Sequence, residues 1–206
     1  MKRTLFEHLK RIQALAEIGL EYSNSSYDKE RYDEIQEICM DMLEQLTDIP
    51  MEKIQPIIQE KNGYKTPKVD VRAVVFNPEG KILLVQEKID GCWALPGGWA
   101  DVGYTPRQVA EKECFEEAGL TVKSIRFLAV MDKTAQQMPP EFEYVYKLFI
   151  LCEPLNDHIA AGEETISANW FSEDNLPELS KPRNLESQIQ MMFEYYRDER
   201  KEIFLD

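Results

Sequence analysis

The sequence predicts an α+β protein in which a small helical domain precedes a larger domain of strands and helices. Two segments with helical periodicity open the chain, and β-rich runs alternate with single helices after residue 68. With 206 residues, of which 43% are apolar, the chain is long enough for one ordinary domain plus a small attachment. We expect a helical domain at 1–62, a polar linker at 63–68 and the second domain at 69–206.

The first domain is predicted to be an antiparallel helical hairpin. Apolar residues recur at intervals of three and four from Leu5 to about Leu20, and again from Tyr32 to Leu46. Between these segments, Ser23 to Ser26 interrupt the pattern with residue types that cap helices. The pattern also allows a short third helix after Pro50.

The second domain is predicted to open with a β-hairpin. Val69–Phe76 and Ile82–Glu87 are β-rich runs, and the turn residues Asn77–Gly80 separate them. Further along the chain, Thr105 and Pro106 are an N-cap and a first-turn proline. The sequence predicts later strands at Ile125–Met131, Phe142–Leu151 and Thr165–Phe171, and a closing helix from Leu185 to Arg197.

The helix that begins after Thr105 and stops at Gly119 carries an unusual acidic face. Glu113, Glu116 and Glu117 have the spacing i, i+3 and i+4, which places three carboxylates together near the helix C-terminus. Each carboxylate repels its neighbours, and the helix dipole disfavours negative charge there by ~0.3–1 kcal/mol per group. The arrangement therefore favours a bound cation. Oxygen ligands without cysteine or histidine select Mg²⁺, Mn²⁺ or Ca²⁺.

An isolated acidic helix is more often a solvated surface, so the preceding segment matters. The rigid loop Trp93–Trp99 contains Pro96 followed by Gly97 and Gly98, which let backbone groups approach the same helix face closely. A glycine loop, a connecting segment and a carboxylate helix in this order form a specific pattern.

The segment Gly98–Leu120 resembles the 23-residue Nudix box. Residues 93–98 and Trp170–Phe171 also resemble Nudix sequences, which implies an α/β/α sandwich with a mixed sheet. Two positions depart from the family pattern, since Tyr104 replaces a glutamate and Lys112 replaces an arginine. We expect these departures to alter geometry, metal preference or rate. The matching positions are Gly98, Glu113, Glu116, Glu117, Gly119 and Leu120.

The resemblance implies roles for the acidic residues. Glu113 and Glu117 are the expected direct ligands of Mg²⁺, with Mn²⁺ as an alternative, and the Gly97 carbonyl is a backbone ligand. Glu116 is expected to be a further ligand or the catalytic base. Many Nudix enzymes place another catalytic carboxylate on a loop before a late strand, and Glu164 is the candidate for this role here. The alternative is that Glu164 is an exposed acidic residue of the loop without a catalytic role.

Five residues are candidates for binding substrate. Arg72 and Lys88 are candidates for binding phosphate, although a solvated charge on a strand is the more common role for such residues. Trp93, Trp99 and Tyr104 are candidates for stacking on a base, and Trp93 is as compatible with a place in the core.

The combination of a helical hairpin and a Nudix domain resembles a bacterial subgroup that hydrolyses X-linked nucleoside diphosphates. ADP-ribose and CDP-alcohols such as CDP-choline are the expected substrates. The alternatives are an RNA-directed phosphate hydrolase and a catalytically weak nucleotide sensor. The formal charge of −14 disfavours a stable nucleic-acid partner.

Composition also bears on compartment and assembly. The chain has no apolar run of membrane-spanning length and no signal peptide pattern, so we expect a cytoplasmic protein without membrane contact. The four cysteines lack metal or disulfide spacing. A two-helix unit buries too little surface alone, so we expect the hairpin to form a homodimer and enclose substrate. The alternative is that it packs against its own second domain.

Overall fold

A computed structural model of the chain describes residues 4–46, 65–139 and 143–206. These residues divide into two compact units, of which the first ends at Pro67 and the second begins at Lys68. The boundary falls within the predicted linker at 63–68.

The first unit contains two helices, as the sequence predicts. Helix α1 spans Leu5–Tyr22 and helix α2 spans Ser26–Leu46, with a three-residue connection between them. Helix α1 begins with a capping box, in which Thr4 and Glu7 satisfy each other's backbone N–H groups. The third helix predicted after Pro50 lies outside the described residues.

The two helices of the first unit approach each other closely at Gly19. A Cβ atom at this position would lie 2.4 Å from the Tyr32 ring on α2, so glycine leaves room for that ring. The contact buries only part of the apolar surface of the hairpin. Its buried residues are Leu9, Gln13, Ala16, Cys39 and Leu43, whereas Leu5, Ile12, Leu15, Ile38, Met42 and Leu46 are exposed.

The described residues of the second unit form two sheets, two α-helices and a short 3-10 helix at Glu173–Asn175. The five-stranded sheet has the order β4-β1-β6-β5-β8, and the three-stranded sheet has the order β3-β2-β7. Strand β1 runs parallel to β6 and antiparallel to β4, so the larger sheet is mixed. The strands are β1 (Lys68–Val75), β2 (Ile82–Glu87), β3 (Trp93–Ala94), β4 (Gly97–Trp99), β5 (Val122–Asp132), β6 (Val145–Pro154), β7 (Thr165–Phe171) and β8 (Phe204–Leu205), and the helices are α3 (Pro106–Ala118) and α4 (Glu186–Arg197).

The predicted hairpin between β1 and β2 is wrong, although both strands exist. A single antiparallel bridge, between Phe76 and Ile82, connects the end of β1 to the start of β2. The two strands belong to different sheets. Strand β1 already has β4 on one side and β6 on the other, so neither of its edges is available to β2. Residues 70–75 of β1 are all buried, so both faces of the strand are covered, which suits its interior position in the sheet.

The two faces of β1 contribute to two hydrophobic cores. Val71 and Val75 pack in a core that includes the apolar side of α3, whereas Val74 packs in a core that includes α4. The alternation of side chains along a strand produces this division. The predicted α+β architecture is therefore confirmed, with strands layered between helices in a domain that follows a helical domain in the chain.

The later predicted strands are present, and two of the three have shifted limits. Strand β7 has the predicted limits, β5 is longer at both ends and β6 begins three residues later. The short strands β3, β4 and β8 were not predicted, because two- or three-residue strands have no usable periodicity. Helix α4 matches the predicted closing helix to within one residue.

A buried charge network joins β1 to β6. Asp70 faces Lys147 across the parallel register, and their side chains form an ion pair. Arg72 makes a bidentate contact with the same carboxylate, with Nε–Oδ1 and Nη2–Oδ2 distances of 2.8 and 3.1 Å. Burial opposes the charge of Asp70, yet the two cations lower the pKa of its carboxyl group.

We expect Asp70→Asn to destabilise the second unit by about 3–5 kcal/mol, because it leaves two buried cations without their carboxylate. Urea unfolding at pH 7 measures the loss. Since the folded pKa of Asp70 is lowered, its contribution is present above the unfolded pKa and is lost as pH falls through the folded pKa. Glu79→Gln is the control, because Glu79 is an exposed partner of Lys81. Equal stability of both variants would contradict the assigned role.

Candidate active site

Helix α3 has the ends that the sequence predicts. The Thr105 side chain accepts a hydrogen bond from the Gln108 backbone N–H in a capping box, and Pro106 lies in the first turn. At the other end, Gly119 adopts the left-handed conformation, with a φ of 63°, that closes many helices. These signals fix the length of the helix that carries the three predicted carboxylates.

A cavity of about 1080 Å³ extends along the carboxylate face of α3. Its walls come from β1, from β4, from α3, from the loop before β7 and from the segment before α4. Glu113, Glu116 and Glu117 all line it, as do Gly97 and Glu164. The structure thus brings together every predicted metal-binding and catalytic residue.

Glu117 is the most constrained of these acids. Its side chain is buried, and its Oε2 atom accepts a hydrogen bond from the Gly97 N–H at 2.9 Å. Burial raises the pKa of Glu117 to about 8, although the Gly97 hydrogen bond and the Arg72 charge oppose that rise. A positive charge in the cavity would favour the ionised carboxylate, so this residue suits a cation ligand.

The glycines of β4 allow the backbone to approach α3 and β1. A Cβ atom on Gly97 would lie 2.0 Å from the Val71 carbonyl oxygen, and its φ of 151° is rare for other residues. A Cβ atom on Gly98 would lie 3.2 Å from the nearer Glu113 carboxylate oxygen. Because Gly97 and Gly98 have no side chains, β4 lies close to the acidic helix, as the Pro-Gly-Gly sequence predicts.

The other two acids of α3 have different surroundings. Burial raises the pKa of Glu113, whose carboxylate lies 3.7 Å from the Lys112 ammonium group. Glu116 is more exposed, and Lys112 donates a hydrogen bond to it at 2.7 Å. Lys112, one of the two departures from the Nudix pattern, therefore contacts a carboxylate through one ammonium group. It does not provide the planar two-point contact of an arginine.

The loop before β7 is bound to the end of α3. The Thr165 hydroxyl donates to the Glu117 carbonyl at 2.7 Å and accepts from the Gly162 N–H at 2.8 Å. A Cβ atom on Gly162 would lie 1.7 Å from the Glu116 carbonyl, so only glycine permits this contact. The loop satisfies helix-end carbonyl groups and places Glu164 at the cavity.

The donor set fits a hard divalent cation. Several carboxylates line one cavity together with Gly97, and oxygen ligands suit Mg²⁺ or Mn²⁺. Among the residues that the structure describes, however, no group of three or more His, Cys, Asp or Glu side chains is arranged to hold a metal ion. The hydrogen bonds of Glu116 to Lys112 and of Glu117 to Gly97 direct two of the carboxylates to protein partners. The site is thus an open set of oxygen ligands, which suits a metal held partly by substrate phosphates.

The five predicted substrate-binding residues are divided between the cavity and other places. Arg72 and Trp99 line the cavity, but Arg72 is buried against Asp70 and is not a solvated strand charge. The exposed residues Lys88 and Tyr104 lie outside the cavity lining. Trp93 packs against Phe171 with ring centroids 4.7 Å apart, as part of the second core.

Two residues that the sequence analysis missed also line the cavity. Glu87, at the end of β2, is buried, and the Arg183 Nε atom lies 2.7 Å from its carboxylate. Glu87 and Arg183 lie 96 positions apart in the chain. They belong to no local motif, so the sequence offers no spacing signal that would pair them.

Comparison with known proteins identifies the family. Residues 66–193 match the NUDIX domain, and residues 3–58 match the UDP-X-like, N-terminal oligomerisation domain. The chain is 40% identical over 200 residues to Bacillus subtilis YjhB, a protein provisionally named an ADP-ribose pyrophosphatase. That match covers 97% of this chain and 96% of the relative.

The chain belongs to the Nudix family.

Solved Nudix structures support the assignment. A UDP-X diphosphatase structure has a TM-score of 0.63 and 32% identity, and the match covers 97% of this chain and 96% of that chain. An ADP-ribose pyrophosphatase from Streptococcus suis has a TM-score of 0.62 and 41% identity, over 68% of this chain and all of that chain. Among sequence relatives, the ADP-ribose pyrophosphatase of Methanocaldococcus jannaschii is 32% identical over 120 residues, which cover 57% of this chain and 69% of the relative.

The family assignment establishes several general properties. The protein is a Nudix pyrophosphohydrolase, and Nudix hydrolases generally need a divalent metal ion. The match of its first domain to an N-terminal oligomerisation domain supports an oligomer. None of the helices in the described part of the chain combines the length and apolarity that a membrane span needs.

We expect Glu117→Gln to stabilise the metal-free protein at alkaline pH. Between pH 4.5 and about 8, folded Glu117 keeps a proton that the unfolded chain has lost, so stability falls as pH rises. Each pKa unit corresponds to about 1.4 kcal/mol, so the expected gain at pH 8.5 is several kcal/mol. Urea unfolding in EDTA at pH 4 and pH 8.5 measures it.

The control for this prediction is Glu116→Gln, because Glu116 lies on the same helix but is largely exposed. It should show no comparable gain. Added Mg²⁺ or Mn²⁺ should stabilise the wild type more than Glu117→Gln. If the free energies of unfolding of Glu117→Gln and the wild type differ by the same amount at both pH values, Glu117 is not a destabilising buried charge.

Proposed function

We propose that this enzyme hydrolyses X-linked nucleoside diphosphates, with ADP-ribose as the leading substrate, to a nucleoside monophosphate and a phosphorylated X group. The main support is the carboxylate-lined cavity of α3, in a chain that matches YjhB over nearly its whole length. The relatives reported above carry the names ADP-ribose pyrophosphatase and UDP-X diphosphatase, so they favour ADP-ribose over CDP-choline.

We propose that Glu113, Glu117 and the Gly97 carbonyl hold Mg²⁺, with Mn²⁺ as the alternative, and that Glu116 is a further ligand. All four residues line the cavity. When bound, the metal would neutralise the diphosphate and lower the pKa of a coordinated water. Trp99, which is half exposed at the cavity, is the candidate for stacking on the base.

The proton-transfer step is assigned to Glu164, with Glu116 as the alternative. Water attacks one phosphorus, the bond from that phosphorus to the bridging oxygen breaks, and the carboxylate accepts the proton of the water. The bridging oxygen leaves with the other phosphate. Glu164 lines the cavity, and the Thr165 and Gly162 contacts with α3 hold its loop in place.

The experiment is a product-release panel with ADP-ribose, CDP-choline, nucleotide sugars, nucleoside triphosphates and short RNA, each with Mg²⁺ or Mn²⁺. We expect ADP-ribose to give AMP and ribose 5-phosphate, and we expect Glu113→Gln and Glu117→Gln to lower kcat by at least ~10²-fold. Glu164→Gln should lower kcat more than Glu163→Gln, its neighbour on the same cavity wall.

The outcomes of the panel separate the alternatives. Pyrophosphate release from triphosphates, or a strong preference for RNA, would overturn the proposed substrate class. Full activity in EDTA would remove the metal from the mechanism. No turnover of any substrate by the wild type would favour the nucleotide sensor.

We further propose that the oligomer is a homodimer formed by the hairpins of two chains. The described apolar stripes on α1 and α2 include Leu15 and Ile38, which are 48% and 52% exposed. Residues 3–58 match an oligomerisation domain, and a twofold contact is the commonest arrangement for soluble oligomers. A second copy would bury these stripes.

We expect the double variant Leu15→Glu and Ile38→Glu to be monomeric, because it places two charges in the proposed interface. Multi-angle light scattering measures its mass. Asp33→Lys is the control, since Asp33 lies five residues from Ile38 and therefore on another side of α2. A dimeric double variant, or a wild-type mass other than that of two chains, would contradict the proposal.

We also place the enzyme in the cytoplasm. All four cysteines are free in the structure, and three of them are buried. Reduced thiols are typical of that compartment. Thiol titration of protein purified without reductant is a direct check.

A further inference from the structure

The segment before α4 holds Arg183 in a fixed position. The Ser180 N–H donates to the Trp93 carbonyl at 2.8 Å, and the Leu95 N–H donates to the Asn184 side chain at 2.9 Å. Asn184 is completely buried. These two bonds fasten the segment to the residues that precede Gly97, so the position of Arg183 is tied to the loop that faces α3.

The Arg183 guanidinium is oriented but not enclosed. Its Nε atom lies 2.7 Å from the Glu87 carboxylate, and its Nη1 atom donates to the Ser180 hydroxyl at 3.1 Å. Within the described ranges, its Nη2 atom makes no hydrogen bond. About a quarter of the side chain, 26%, remains exposed, and the residue lines the cavity. Nε and Nη1 therefore have protein partners, which include the Asp90 carboxylate 3.7 Å from Nη1, whereas Nη2 has none among the described residues.

Other cations of the cavity are engaged differently. Arg72 is buried against Asp70 and the Leu95 carbonyl, and Lys112 pairs with Glu116. Lys133 is also buried. Acidic residues outnumber basic residues in the described cavity lining. A substrate diphosphate would meet strong repulsion there unless cations contact its oxygens.

We propose that Arg183 binds a phosphate oxygen of the substrate and that Glu87 is a positioning residue that orients its guanidinium. The inference rests on the proposed function, because it takes a phosphate of the scissile diphosphate as the ligand. A guanidinium matches phosphate geometry and forms charge-assisted hydrogen bonds with it. Glu87 restricts the rotamers of Arg183, which lowers the entropy cost of binding.

The competing explanation is an ion pair that only closes the turn against β2. Such a pair would affect stability when broken and would leave substrate affinity unchanged. Removal of a substrate contact would instead raise KM, and weaken binding of an inert analogue, in a protein that remains folded.

The test compares Arg183→Ala, Arg183→Lys and Lys181→Ala. Lys181 is the matched control, because it carries the same charge two residues away, is exposed and lies outside the cavity lining. Steady-state kinetics use the best substrate of the panel. Calorimetry with a non-hydrolysable α,β-methylene analogue of ADP-ribose measures affinity directly, and circular dichroism and Tm establish folding.

We expect Arg183→Ala to raise both KM and the Kd of the analogue about 10- to 100-fold, the range for a lost charge-assisted hydrogen bond. Arg183→Lys should recover part of the affinity, and Lys181→Ala should match the wild type. Inhibition by AMP and by ribose 5-phosphate identifies the phosphate, because only the product that contacts Arg183 should bind more weakly to Arg183→Ala.

Glu87→Gln tests the positioning role separately. It should raise KM in the wild-type background and have no further effect in the Arg183→Ala background, because its action depends on the guanidinium. Unchanged KM and Kd in folded Arg183→Ala, with active wild type, would overturn this proposal alone. If the wild type instead favours triphosphates or RNA, the proposed function fails, and the same variants measured on that substrate still decide the role of Arg183.

Discussion

The buried carboxylate of Glu117 is the constraint around which the second unit is arranged. Its side chain accepts a hydrogen bond from Gly97, and its backbone carbonyl accepts one from Thr165. Three segments that are distant in the sequence therefore meet at one residue. An ionised group at this depth is costly without compensation, and the Gly97 hydrogen bond and the Arg72 charge do not remove that cost. The fold thus retains a position that a cation improves, at some expense in stability.

Strand β1 connects this constraint to the rest of the domain. It pairs with β4 at Arg72 and Gly97, so the backbone near the acidic helix is held in register by an interior strand of the larger sheet. The same strand contributes to both cores, and it carries the Asp70 network that joins it to β6. Site geometry and core packing consequently depend on the same eight residues of Lys68–Val75.

The sequence predicted the parts of the site that local chemistry specifies. Helix α3, its carboxylates and the glycine loop follow from caps, helical spacing and residue type, which act over a few residues. Strand partners depend on contacts between distant segments, so the pairing of β1 was mispredicted. The Glu87–Arg183 pair was missed for the same reason. Local chemistry also left Trp93 ambiguous between stacking and packing, and only the contact with Phe171 shows that it packs in the core.

The loop before β7 has two parts that differ in their tolerance of sequence changes, because only one part is bonded to α3. Residues 160–165 are bonded to helix-end carbonyl groups, and Gly162 has no space for a side chain. Residues 155–158, by contrast, are exposed. Insertions in this outer part would leave the bonds between the inner part and α3 intact. The architecture therefore separates a segment that can change in length from one whose length is fixed by its bonds to the helix.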